Sequence, residues 1–291
     1  MIEKSGLKGL PLATSPFPGQ SPGSFAANRS EDRNEDLYNS QRITVASFNI
    51  QTGIQSSSYR DYILKSWQHL LPTGKRRQNL DKIAVLLRQF DIVGLQEVDG
   101  GGSRTGFTVQ TEYLAQRAAF PHWHHQINRR FANIALHSNG LLTRYKPQHI
   151  EKHKLPGLPG RGVLLVRYGE GENALHVCVI HLALSHRARM KQIAFICDLI
   201  SHLPYAIVMG DLNFEPNTPE MKALVGNTQL SDPTTEHYTF PSWKPHKILD
   251  HILVTSNLAV NNFQVLDFPC SDHLPIAMEV SLPEQIRLTI S

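Results

Sequence analysis

Residues able to hold a cation or move a proton interrupt the apolar runs of this chain at recurring places. Asn49 closes ITVASFN, Glu97 closes DIVGLQE, His181 closes HVCVIH, and Asp211 and Asn213 close AIVMGDLN. Asp250 lies within KILDHIL, and Asp272-His273 opens the final apolar run. A strand end suits a reacting group, because the sheet holds it rigidly while adjoining loops admit a substrate. A single residue of this kind would carry little weight; six runs that each deliver one form a pattern.

The residue types fit one chemistry. Glu97, Asp272 and Asn49 would make a hard oxygen site for Mg2+, with Mn2+ as the second candidate. Zinc fits less well, since Cys178, Cys197 and Cys270 are few and scattered and no HExxH helix is present. Two histidines beside a cation can neutralise or protonate phosphate oxygens, and an Asp-Asn pair can orient an attacking water. Phosphoryl transfer needs that combination of positioning and charge stabilisation.

Something must position these groups. Runs of strand length, rich in β-branched residues and bounded by Gly, Pro, Asn or Asp, are ITVASFNI, DIVGLQEV, NGLLTRY, RGVLLVRY, ALHVCVIHL, YAIVMGDLN, ILDHILVT and HLPIAMEVSL. Between them, Leu80, Ile83, Leu87 and Phe90 share one helical face, as do Ile193, Cys197 and Ile200. Thr218-Pro219 followed by EMKALVG reads as a third helix with proline in its first turn. Mixed hairpins and crossovers predict an α/β fold, a four-layer sandwich of two mixed β-sheets flanked by helices.

The 291 residues suffice for one large domain, expected over 41–291. Residues 1–40 are rich in Pro, Gly, Ser, Asn and charge without apolar period, and read as a flexible N-terminal arm. A net charge of +4 suits an anionic substrate and falls short of a dedicated nucleic-acid binder. No run reaches membrane-span length and MIEKSGLKGLPLATSPFPGQ lacks a signal-peptide core, so a cytoplasmic enzyme without an obligate protein partner is expected. Cys178 and Cys197 read as buried, reduced thiols.

In order, the segments FNI, LQEVD, IHL, GDLN, LDHI and SDHLP resemble the signatures of the endonuclease/exonuclease/phosphatase superfamily, from Ile43 to Leu282. That group includes pancreatic-type deoxyribonucleases, apurinic endonucleases, bacterial sphingomyelinases, deadenylases and inositol-polyphosphate 5-phosphatases. LQEVDGGGSRTGFTVQ, NGLLTRY and TFPSWKPHKILDHILV are most similar to its uncharacterised bacterial branch.

The resemblance implies that Glu97 is the principal metal ligand, with Asn49 and Asp272 in or near the metal shell. Asp211 would orient or deprotonate the nucleophilic water, and Asn213 would hold a phosphate oxygen or that water. His181 would stabilise phosphoryl charge, as would His273, its ring oriented by Asp250. Arg104 and Asn139 would contact substrate. Two positions depart from the branch pattern: Val109 stands where an Asp precedes Gln110, and Ile248 where a basic residue is common, Lys247 being one step earlier. The expected activity is metal-dependent phosphodiester hydrolysis of a small molecule, phospholipid or nucleic acid. A nuclease and a non-catalytic phospho-ligand or protein-binding relative are the alternatives.

Each residue also has a plainer reading. Asn49 could form a turn, and Asp211-Asn213 an Asx-turn. Glu97 could be a surface carboxylate and His181 a satisfied core histidine. His251 is expected to pack, His122-Trp123-His124-His125 to be a surface loop around a packed Trp in preference to a metal site, and Lys75-Arg76-Arg77 to be a solvated face. The same holds for Arg129-Arg130, while Trp243 suits core packing or base stacking equally.

Overall fold

A computed structural model describes residues 41–53, 74–102, 108–131, 135–157, 159–233 and 237–290. The expected arm over 1–40 and the candidate Arg104 lie outside the described residues. The strands are β1 (Arg42–Asn49), β2 (Ile92–Asp99), β3 (His122–Phe131), β4 (Ala135–Thr143), β5 (His149–Lys154), β6 (Gly162–Tyr168), β7 (Leu175–His181), β8 (Ala206–Asp211), β9 (Leu230–Ser231), β10 (Asp250–Thr255), β11 (Ala259–Val265) and β12 (Ile276–Ser281). The helices are α1 (Gly74–Leu87), α2 (Gln110–Ala118), α3 (His186–Ile200) and α4 (Pro219–Gly226).

Two six-stranded mixed sheets result, ordered β11-β12-β1-β2-β4-β3 and β5-β6-β7-β8-β10-β9. Each has one parallel pair at its middle, β1 with β2 and β7 with β8. Parallel neighbours need a crossover, and α1 and α3 lie in those two connections. The crossovers bring the carboxyl ends of β1 and β2 to one edge of their sheet, and those of β7 and β8 to one edge of theirs. Antiparallel neighbours begin where these strands end: Asp250 pairs with Asp211, and Ile276 with Ser47. The fold thereby delivers residues far apart in sequence to one end of the sandwich.

The central strands are buried on both faces, which explains their unbroken apolar runs. Val45, Ile92, Val177, Val179, Met209, Ile252 and Met278 fill the space between the sheets. On the outer side of the second sheet, Cys178, Val208 and Leu253 meet Ile193, Ile196 and Ile200 of α3 and Met221 and Leu224 of α4. Each fully buried aliphatic side chain of this kind contributes about 1.5–3 kcal/mol. Close approach also requires glycine. At Gly210, φ is 150° and an added Cβ would lie 1.9 Å from the Ile180 carbonyl oxygen, so only glycine lets β8 sit beside β7 just ahead of Asp211.

All eight apolar runs are strands, as expected, and the three expected helices are α1, α3 and α4. Cys178 and Cys197 are buried and free. Among the described residues, four further strands lack such runs, β3, β5, β9 and β11, and these occupy the sheet edges. His122-Trp123-His124-His125 is accordingly not a loop but the start of β3, with Trp123 stacked on His125 at 5.8 Å. In the basic run, Lys75 and Arg77 are exposed whereas Arg76 is buried. Among the described residues, no helix is long and apolar enough to cross a membrane.

Candidate active site

Asp211, the last residue of β8, is the hub. Its Oδ2 accepts the Asn49 side-chain N–H from the other sheet at 3.1 Å, and lies 3.4 Å from His181 Nε2 and 3.8 Å from His273 Nε2. Its Oδ1 accepts the backbone N–H of Asn213 at 3.0 Å. The Asx-turn reading is therefore correct for the backbone, and the same carboxylate still turns its second oxygen to the cluster. Asn213 adopts φ 55° and donates its amide N–H to Leu182 O at 3.0 Å, tying the chain after β8 to the end of β7.

A second carboxylate works through an imidazole. His273 donates Nδ1–H to Asp250 Oδ2 at 2.8 Å, and Thr239 Oγ1 donates to the same oxygen at 2.6 Å. Thr239 belongs to the TFPS segment, whose Ser242 donates to Asp272 O and Ser271 O. Phe240 lies 4.8 Å from the His273 ring. Burial alone would lower the His273 pKa, but Asp250, Asp211 and then Asp272 carry it well above the ordinary value, which favours the imidazolium form. Asp211 is itself pushed up by burial, against the pull of His273, with Asp250 and Glu97 adding to the rise.

Glu97 reaches the site by breaking the strand pattern. Register between β2 and β4 shifts from Leu95 to Val98, and Glu97 takes φ 56°. Such a bulge re-aims a side chain that alternation would send elsewhere, and a left-handed L-residue costs roughly 1 kcal/mol. Gln110 clamps the region: its Oε1 accepts Asp99 N–H, and its Nε2–H donates to Thr52 O, each at 2.9 Å. The glutamine without its usual acidic neighbour is thus a brace at the head of α2, a helix beyond the three that the apolar spacing predicts.

The Glu97 pKa is raised by burial and next by Asp272, while His273, Arg161 and Asn49 act in the opposite sense. Two carboxylates close enough to repel one another suit a hard divalent cation, while Asn49 turns its amide nitrogen to Asp211 and its oxygen accepts the Gln51 N–H at 3.1 Å. Ligand atoms of Asp211, Asp250 and His273 also converge within 4.8 Å of one another. That trio, however, already contains a basic ring and spends the Nδ1–H of His273 on Asp250.

Two further residues fall differently from expectation. Asn139 is buried, and its amide nitrogen lies 3.0 Å from Gly162 O and 3.4 Å from Val179 O, so it ties the two sheets together and makes no hydrogen bond to the cluster. His251 does more than pack. Its Nδ1 lies 3.0 Å from Asp232 Oδ2 and its Nε2 2.9 Å from Phe214 O, and since both partners accept, both ring nitrogens carry protons. Arg161, which no motif of the sequence singles out, reaches His181 Nδ1 at 3.3 Å.

Two mixed sheets with acidic and histidine side chains gathered at one end define a two-sheet α/β sandwich with a polar cluster at its edge. Residues 46–273 match the "Endonuclease/Exonuclease/phosphatase family", and the chain belongs to that family. It is 29% identical over 227 residues to "Uncharacterized protein YbhP" of Escherichia coli (strain K12), covering 66% of this chain and 83% of that one. Among solved structures it is similar to an endonuclease/exonuclease/phosphatase from Beutenbergia cavernae, with TM-score 0.64, 19% identity, and coverage of 83% of this chain and 72% of that one. It is also similar to a mannosyl-6-phosphatase from Bacteroides thetaiotaomicron, with TM-score 0.61, 17% identity, and coverage of 82% and 99%.

Proposed function

We propose that this chain is a Mg2+-dependent phosphodiesterase, with Mn2+ able to substitute. The supporting observation is the division of charge: Asp211 and Asp250 flank the His273 ring at 3.8 and 2.8 Å, whereas half-buried Glu97 is set against another carboxylate, Asp272. A carboxylate pair of that kind is costly unless it is protonated or faces a cation.

Glu97, Asp272 and Asn49 would hold the ion. When bound, it polarises phosphoryl oxygens and offsets the charge of the transferring group. Asp211 accepts a proton from the attacking water, its basicity raised by burial. Asn213 orients that water or a phosphate oxygen through its remaining amide N–H. His181 donates a hydrogen bond to a phosphoryl oxygen from Nε2. The His273 imidazolium, held by Asp250, meets the charge that develops on the phosphoryl and leaving oxygens.

Hydrolysis of bis(4-nitrophenyl) phosphate and 4-nitrophenyl phosphate, with Mg2+ and with EDTA, tests the reading. Mg2+-dependent release from the diester is expected. Preference for the monoester would replace phosphodiesterase with phosphatase, and inertness toward both with every divalent ion would overturn the reading.

A further inference from the structure

The cluster holds two buried histidines, yet their surroundings are opposite. His273 has a carboxylate on each side. His181 has Asp211 on its Nε2 side at 3.4 Å and the guanidinium of Arg161 on its Nδ1 side, with Nη1 at 3.3 Å. A guanidinium has only N–H donors and does not give up its proton. The Nδ1 it faces must therefore carry a lone pair, which leaves the ring proton on Nε2.

We infer that Arg161 is the positioning residue that fixes His181 as the neutral Nε2–H tautomer, so that its N–H lies on the Asp211 side of the ring, where the proposed reaction places the phosphoryl group. This rests on the phosphoesterase reading above for its use and on geometry for the tautomer itself. In many catalytic histidines a carboxylate takes the inner N–H and favours imidazolium; an arginine in that place does the reverse. Burial and then the Arg161 charge hold the His181 pKa well below its ordinary value, in keeping with a neutral ring. The two histidines thus face opposite partners, His181 a guanidinium at Nδ1 and His273 a carboxylate at each nitrogen.

The strand register explains how Arg161 arrives. It immediately precedes β6, which runs antiparallel to β7 with Val163 opposite Ile180. The residue before β6 consequently lies beside the end of β7, where His181 sits. Leu155 N–H donates to Arg161 O at 3.1 Å and anchors the backbone there.

Ring 15N chemical shifts of His181 in the full-length protein, assigned by comparison with His181→Gln, read the tautomer without any need for activity. The expected result is an unprotonated Nδ1 and a protonated Nε2; a protonated Nδ1 would overturn the inference even if the protein hydrolyses phosphoesters. Arg161→Met keeps the side-chain bulk and removes the donor. It should let the tautomer equilibrate and lower kcat by roughly 100-fold with a much smaller change in KM. Arg161→Lys should retain the tautomer, and added guanidinium should restore turnover to Arg161→Ala. Should Arg161→Met fail to fold, the parent spectrum and Arg161→Lys still decide. An Arg161→Met protein with the parent's tautomer would refute the positioning role. Absence of hydrolysis in the parent, with the Nε2–H tautomer present, would count against the phosphoesterase reading alone.

Discussion

Asp250 and Asp211 face each other across β10 and β8, and the imidazole of His273 bridges them, 2.8 Å from Asp250 and 3.8 Å from Asp211. Neither carboxylate is adjacent to His273 in sequence. The antiparallel pairing of two strands creates the relationship, and with it a setting that favours positive charge on the ring.

Replacing Asp250 with Asn keeps the shape and removes the charge that holds His273 above its ordinary pKa. Turnover should fall by roughly 100-fold or more, with KM changing far less, because the interaction strengthens mainly as charge builds on the phosphate. The sign of the pH effect follows: an imidazolium with less support loses its proton sooner as pH rises, so the alkaline limb moves to lower pH. Rate profiles of both proteins across roughly pH 5 to 9 check this; superimposable profiles would make Asp250 purely structural.

Glu97→Ala should abolish hydrolysis and the Mg2+-induced rise in melting temperature together. An ion that binds only the native state stabilises it by about 2.7 kcal/mol at a concentration near 100 Kd. Glu97→Gly should be equally inactive but more stable than the Ala variant, since glycine occupies φ 56° without the Cβ penalty. Thermal melts with Mg2+ and with EDTA decide both points, and a metal shift that survives in either variant would exclude Glu97 as a ligand.

His251 supplies a pH-dependent stability term. Burial alone would lower its pKa, but the bond and charge of Asp232 carry the folded value above the ordinary one. Stability from this pair is therefore fully present below an unfolded pKa of about 6.5 and is lost as pH rises through the folded value. His251→Gln should cost roughly 3 kcal/mol at low pH, and its deficit relative to the parent should shrink toward alkaline pH. Melts of the two proteins over that range test it; a deficit constant with pH would mean that the ring is neutral throughout.

A chain beginning at Ser40 should keep the melting temperature within about 2 °C and turnover unchanged, because the first residues show no apolar periodicity to bury. The cut must spare Gln41, whose backbone and side-chain oxygens accept N–H groups from Leu282 and Leu288 at 2.8 and 2.9 Å. Loss of folding in the shortened chain would show that the removed segment packs on the body.

The sequence by itself determined the eight central strands, because a strand buried on both faces must be apolar at every position and so announces itself. It also determined the sandwich, and the cluster-forming residues Asn49, His181, Asp211, Asp250 and His273, because a polar group at the end of a buried run is costly unless partners gather around it. Its silence elsewhere has the same cause. β3, β5, β9 and β11 are sheet edges, where one side is open to solvent and polar residues such as those of HIEKHK are tolerated, so no apolar period marks them. Only tertiary structure decided what pairing decides. Glu97 is aimed by a bulge whose partner strand is about forty residues away. Asn139 reads as a site residue by its place at the head of NGLLTRY, and becomes a tie between sheets once β6 and β7 lie opposite it. Arg161 acquires meaning only when antiparallel register sets the start of one strand beside the end of another. Burial pattern is written along the chain, one residue at a time; partnership across strands is a property of the closed fold.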